Sequence, residues 1–176
     1  SYLHPFYLSI PLRILKLLNL DDSYFAITNS YYAAQLVLVI IGDYFYFRVG
    51  CKVIGKEATR ISMYIYLANK FYNIHIIRCF GNSLESILYL IAFYYYLGIK
   101  SEINKSMIMF TIIITISFMV RCTSPIGFVL LILYKIIKED SLYSFIILGI
   151  SLAFPLIMII MLFDSYFYDQ PTFVPL

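Results

Sequence analysis

Residues Leu142–Phe163 read LYSFIILGISLAFPLIMIIMLF, 22 positions in a row without a charge. A hydrocarbon core about 30 Å thick takes roughly 20 helical residues to cross, so this run is long enough to span one. A second run, Tyr24–Gly42, adds 19 uncharged residues. The whole chain of 176 residues is biased the same way: 62% is hydrophobic and 13% charged, with a mean hydropathy of +0.85. A soluble domain is nearer half apolar and a quarter charged. The fold class expected is an all-α polytopic membrane protein. A water-soluble helical bundle is the competing class, and runs of this length argue against it.

Charges and turn residues cut the chain into apolar stretches at Tyr2–Leu20, Tyr24–Phe47, Ile61–Ile77, Leu84–Ile99, Ser106–Val120, Pro125–Ile137 and Leu142–Phe163. Tyr and Phe supply 33 residues, many near segment ends, as interfacial belts favour. If Ile61–Ile99 were one helix it would be about 58 Å long, and Ser106–Ile137 about 48 Å. Neither suits a single crossing. Each is therefore expected to fold back, at Arg78–Glu85 and at Arg121–Pro125, with Gly81, Ser124–Pro125 and Gly127 as the breaks.

That folding puts Arg48, Lys52, Lys56, Arg60, Lys100, Lys105, Lys135 and Lys138 on one face, eight of the thirteen basic residues. The positive-inside rule assigns that face to the cytosol. Arg78, Glu85, Arg121, Asp164 and Asp169 then collect on the opposite, lumenal side. Residues 1–20, interrupted by Arg13 and Lys16 and broken by Pro5 and Pro11, are expected to form a lumenal interfacial helix. Residues 24–163 supply the membrane helices, and 164–176 begin a lumenal segment. The sequon Asn104-Lys105-Ser106 lies in a cytosolic loop on this parity and should stay unmodified.

Several chemistries find no support. A net charge of +3, scattered along the chain, gives no block suited to nucleic acid. Cys51, Cys79 and Cys122 form no CxxC pair and read as buried thiols, with a Cys79–Cys122 disulfide as the alternative. His4 and His75 have no spaced ligand partner, so no metal or other cofactor is expected. Asp43 reads as a structural partner for Arg48 or a neighbouring cation, and Lys70 has no account beyond snorkelling or an unseen partner. There is no signal-peptide pattern and no initiator Met, and Ser1 opens directly on an apolar segment, as a piece of a longer chain would.

The polar residues that remain are the candidates for function. In Ile77–Leu90, IRCFGNSLESILYL, Arg78, Asn82 and Glu85 fall at i, i+4 and i+7, one face of a helix that begins early. Charges at a membrane edge face protein or a water-filled cavity, and mark functional sites by default. The bland reading is a structural Arg–Glu pair holding a hairpin. The functional reading is a lumenal cavity with an arginine aimed at an anion, since its planar fork suits phosphate. Arg121, in VRCTSPIG, is the second such arginine. Thr123 and Ser124 follow it, and the helix start near Pro125 offers a phosphate seat, with a snorkelling boundary charge as the alternative.

Four stretches, SYLHPF, RCFGNSLES, VRCTS and DSYFYDQPTFVPL, resemble in order the glycosylphosphatidylinositol (GPI) mannosyltransferases, most of all the branch that adds the third mannose. Arg78, Asn82 and Glu85 match the arginine, asparagine and glutamate of the family motif Arg-Thr-Leu-Thr-Asn-Thr-x-Glu, while Cys79, Phe80 and Gly81 depart from it. Arg121-Cys122-Thr123 resembles the family's Arg-Pro-Thr, with cysteine in place of proline. The resemblance implies part of a C-type glycosyltransferase helical bundle in the endoplasmic reticulum membrane. Its donor would be dolichyl-phosphate mannose and its acceptor a GPI glycolipid. It places the catalytic acidic motif before Ser1 and assigns substrate contacts to Arg78, Asn82, Glu85 and Arg121. Addition of a fourth mannose, another lipid-linked mannosyl transfer, and a non-catalytic transporter-like or assembly subunit are the alternatives.

Overall fold

The structure, a computed structural model, describes residues 3–20, 22–69, 81–121 and 123–168, with residues 3, 4, 81, 82 and 168 described by backbone alone. All regular structure among these residues is helical. The chain divides into two compact units, Leu3–Leu90 and a second that begins at Ile91.

The first unit is built on one long helix. The Ser23 hydroxyl accepts a hydrogen bond from the Ala26 N–H at 3.4 Å, satisfying a donor that a helix start leaves open. Behind that cap, α2 runs Tyr24–Val53, 30 residues or about 45 Å. α1 (Leu3–Leu17) packs on it, and the Tyr7 hydroxyl donates to the Ala34 carbonyl at 2.7 Å. Contrary to expectation, neither Pro5 nor Pro11 breaks α1. Pro5 sits in the first turn, where no intrahelical donor is needed, and Pro11 removes a single bond inside the helix.

A two-residue turn, Ile54–Gly55, connects α2 to α3 (Lys56–Ala68). Gly55 has φ +88°, a backbone state that L side chains rarely adopt. One turn earlier the two helices nearly touch. A Cβ on Gly50 would lie 2.6 Å from Cγ2 and 2.9 Å from Oγ1 of Thr59, which is fully buried and donates to the Gly55 carbonyl at 2.5 Å. Further along, the Tyr46 and Tyr66 rings stack at 4.5 Å, and Tyr46 hydrogen-bonds Ser62 at 2.6 Å. Asp43 accepts from the Tyr66 hydroxyl at 2.7 Å, while Arg48 donates to the Tyr44 hydroxyl at 3.1 Å. The recorded partner of Asp43 is thus a phenol rather than a cation. α3 stops at Ala68, short of Ile77, with Asn69 extended behind it.

α4 (Gly81–Tyr96) begins within the stretch where a fold-back was expected and carries the chain from the first unit into the second. There, α5 (Lys105–Val120) is the core helix, with no exposed position from Ser106 to Val120. Its hydroxyls bond back along the helix, Thr111 to the Met107 carbonyl and Thr115 to that of Thr111, at 2.9 and 2.8 Å. α5 ends at Val120 and α6 (Ile126–Glu139) begins after Pro125, so the expected break lies where the proline placed it. Gly127 is inside α6 and breaks nothing.

α6 returns to the start of α5. The Tyr96 hydroxyl donates to the Leu131 carbonyl at 3.0 Å, Lys135 Nζ to that of Ile99 at 3.1 Å, and Phe110 meets Phe128 edge-on at 5.6 Å. Lys100, Lys105, Lys135 and Lys138 therefore collect at one end of this unit. The chain then leaves that end through α7 (Leu142–Leu148), a π-helical turn over Gly149–Ala153, and α8 (Phe154–Tyr168). The Ser144 hydroxyl donates to the Ser101 carbonyl at 2.9 Å, and both the π-turn and α8 pack on α5. The π-turn closes with the Phe154 N–H on the Gly149 carbonyl, immediately before Pro155. A proline ring in a regular helix collides with the carbonyl four residues back, and a wider turn relieves that collision.

Among the described residues, two helical runs are long and apolar enough to cross a membrane, Tyr24–Val53 and Leu142–Phe167. Their most apolar windows are only 22% and 11% buried within the chain. A core helix of a soluble protein would be mostly covered. α5 and α6, at 16 and 14 residues, reach about 24 and 21 Å, short of a full core.

Asn104 caps α5: its Oδ1 accepts from the Met107 N–H at 2.8 Å and its Nδ2 donates to the Gly98 carbonyl at 3.2 Å. A glycan on that amide nitrogen would disturb both contacts. No mobility shift is expected at Asn104 when the protein is translated into microsomes. A shift would place the lysine-rich end in the lumen and invert the expected topology.

Candidate functional site

The candidate residues lie in both units. In the first, α4 meets α2 where a Cβ on Gly42 would lie 3.1 Å from Cγ1 of Ile87, which is almost fully buried. This contact turns Ile87 toward α2. Glu85 lies two residues earlier, about 200° round the helix from Ile87, and is half-buried. Asn82 precedes it by three positions, so the two share a side of α4. Ser83, between them, is buried. Arg78, with Cys79, His75 and Lys70, lies outside the described residues. The alignment of Asn82 with Glu85 therefore stands on helix geometry, and the place of Arg78 beside them is an expectation.

In the second unit, Arg121 is the C-terminal cap of α5, with an extended backbone (φ −154°, ψ 119°) and its N–H on the Ser117 carbonyl at 2.9 Å. The residue is exposed. The turn after it is tightly bonded: Ser124 N–H reaches the Arg121 carbonyl at 3.0 Å and Ile126 N–H that of Thr123 at 3.2 Å. Ser124 is fully buried and its hydroxyl bonds that of Ser117 on α5. This corrects the picture of a hydroxyl-lined anion seat at the start of α6. Ser124 turns into the protein, Phe128 N–H is taken by the Pro125 carbonyl at 2.8 Å, and Arg121 with exposed Thr123 forms the open part of the turn.

Two buried polar side chains carried more weight than their sequence contexts announced. Asp164, the first charge after the long apolar run, was assigned to a boundary; it is 0% exposed, and α8 continues through it to Tyr168. Gln35 is likewise fully buried, midway along α2. The signal available for each was a lone polar residue within or directly after an apolar run. Asp169 and Cys122 lie outside the described residues, and Cys51 is a free, half-buried thiol. Among the described residues, no group of three or more His, Cys, Asp or Glu side chains could hold a metal ion.

Comparison with known proteins adds what geometry alone leaves open. A family described as the Alg9-like mannosyltransferase family matches residues 1–176. The chain is 24% identical over 182 aligned positions to "Mannosyltransferase APTG1" of Arabidopsis thaliana, covering 100% of the chain and 33% of that protein. It is 33% identical over 97 positions to "GPI mannosyltransferase 3" of Schizosaccharomyces pombe, covering 54% of the chain and 19% of that protein. The chain thus aligns with about a third and a fifth of the lengths of these two relatives. No solved structure matches it.

Proposed function

Because the chain belongs to the Alg9-like mannosyltransferase family, we propose that the complete protein transfers mannose from dolichyl-phosphate mannose to a GPI precursor, adding the third mannose. The carrying observation is the family match over the full chain, and the name of the Schizosaccharomyces pombe relative supports the choice of acceptor. In the second unit, the lysine-rich end would face the cytosol and Arg121 the lumen of the endoplasmic reticulum. The exposed apolar residues of the two long helices, Ile40, Ile150, Phe154 and Leu162 among them, would meet lipid.

The reaction sets two tasks. The acceptor hydroxyl loses its proton as it attacks the sugar carbon, and the polyisoprenyl phosphate leaves as negative charge builds on it. Cations fixed in a poorly hydrated pocket stabilise that charge far better than they would in water. Arg78 or Arg121 would fill this role, since arginine stays charged and donates two parallel hydrogen bonds to phosphate. Glu85 and Asn82 orient the arginine and the sugar from one side of α4. A carboxylate elsewhere in the complete protein takes the hydroxyl proton.

The test is direct. Membranes from cells lacking third-mannose activity are supplied with the full-length protein and labelled dolichyl-phosphate mannose. Conversion of the two-mannose glycolipid to the three-mannose form is expected. Label appearing only on a three-mannose acceptor, or on none, overturns the assignment.

A further inference from the structure

Residue types alone would let α5 run past Val120, since arginine is a good helix former and Pro125 restricts only the residue before it. The chain returns to α5 instead. The Arg121 N–H closes on the Ser117 carbonyl at 2.9 Å, the Ser124 N–H reaches the Arg121 carbonyl at 3.0 Å, and the Ser124 hydroxyl bonds that of Ser117. Seven positions separate the two serines. In a continuous helix they would stand about 10.5 Å apart along the axis, out of reach of each other. The hydroxyl bond and a continuation of α5 to Ser124 therefore exclude one another.

The break decides which side Arg121 takes. Ser117 is 1% exposed, and Ile113, one turn before it, is also buried. A helix carried on to Arg121 would set that residue over the same covered side, four positions further along. Arg121 has instead left the helix with φ −154° and ψ 119°, and the residue is exposed. Ser124, fully buried, is what the turn covers in its place. The hydroxyl bond acts on the backbone from which the guanidinium projects, so it holds whichever partners that side chain keeps.

We infer that the Ser117–Ser124 bond is a clasp that sets the backbone of Arg121 for the transfer reaction, which makes both serines positioning residues. The functional half of the inference rests on the reading that places Arg121 at the donor phosphate. The clasp itself rests only on the fold of the second unit. The two parts separate experimentally.

The clasp is read first, without substrate, from hydrogen exchange and thermal unfolding of the full-length protein in detergent with S117A, S124A and the double variant. All three are expected to speed exchange of the amides at positions 121 and 124. Each single change should lower the unfolding temperature, because it sets a methyl against a buried hydroxyl, and the double should lower it no further than the worse single. Turn amides that exchange as in the parent, or additive shifts in unfolding temperature, overturn the clasp. If one single variant does not accumulate, the double should restore it, and failure to do so also overturns the clasp.

Function is read from kinetics. All three variants are expected to raise KM for dolichyl-phosphate mannose about tenfold or more, with KM for the glycolipid acceptor unchanged. A merely structural bond would cost active protein and leave both KM values where they were. A stable double variant with the parent's donor KM therefore sinks the positioning role. In an R121K background, S124A should add little to a donor KM already raised, and a full further increase would mean that the serine does not act through Arg121. A wild-type protein that transfers no mannose under any acceptor condition would defeat the proposed function instead, and hydrogen exchange would still decide the clasp.

Discussion

Lysine in place of Arg78 is expected to abolish most transfer in the full-length protein while the protein still accumulates. Lysine keeps the charge and loses the planar fork, so a role needing charge alone would survive the change. Removing one preorganised donor from a developing anion lowers turnover on the order of 100-fold or more. Glu85→Gln would act differently, because on the proposed pairing it leaves Arg78 without a countercharge. Breaking one side of such a pair costs about 3–5 kcal/mol, enough to lower abundance as well as activity. A double change of Arg78 and Glu85 to Gln should recover abundance and leave activity low. Return of activity in that variant would reduce the pair to a structural clasp.

The second large effect concerns the α2–α3 hairpin. Alanine at Gly50 should destabilise it although alanine favours helix. The intrinsic gain in a helix interior is about 0.5–1 kcal/mol. Against it stands a Cβ 2.6 Å from a Thr59 methyl whose β-branched side chain is fully buried and held by its bond to the Gly55 carbonyl. Overpacking of this kind costs about 1–3 kcal/mol, and valine would cost more. Packing should win, with unfolding in detergent at lower temperature for Gly50→Ala and lower still for Gly50→Val. Thr59→Ser removes the nearest contact, the methyl, but keeps Oγ1 at 2.9 Å, so it should rescue Gly50→Ala only in part. A Gly50→Ala protein as stable as the parent would mean that the two helices separate without penalty.

Apolar run and turn residue made much of the helix order legible. Tyr24, Val120 and Leu142 bound helices where the sequence placed them, because a cap, a cation beside a proline turn, or a serine marks each position. The differences arise because an apolar run measures exclusion from water, whereas a helix ends where its hydrogen bonding ends. α2 continues through Arg48 and Lys52, and α3 starts at Lys56, since Lys, Glu and Arg are good helix formers outside the core. The Arg60–Glu57 pair at 3.1 Å decorates that solvated turn. The basic loop expected there is therefore two residues long, with its cations on the flanking helices.

Of the candidate site, the geometry of its described residues was legible only in part. Spacing alone put Asn82 and Glu85 on one side of α4, because 3.6 residues per turn requires it once Gly81 starts the helix. The inward turn of Ser124 was not legible, because it depends on Ser117, seven residues back on a helix whose apolar residues surround it. Asp164 was hidden for a related reason. A charge that follows an apolar run ordinarily marks the water boundary, and only the neighbouring helix shows that this one faces inward.

The wide turn at Gly149–Ala153 works as a phase shifter. Over the twenty residues from Ser144 to Asp164, a uniform helix advancing about 100° per residue would finish roughly 200° out of phase. It would thus carry the carboxylate to the side away from its starting face. Yet Ser144, Leu148, Ile160 and Asp164 are all covered. Five residues wound more loosely return part of that rotation, letting the two halves of one helical run keep the same neighbour. Without that slack in the winding, Asp164 would be turned to the side away from α5.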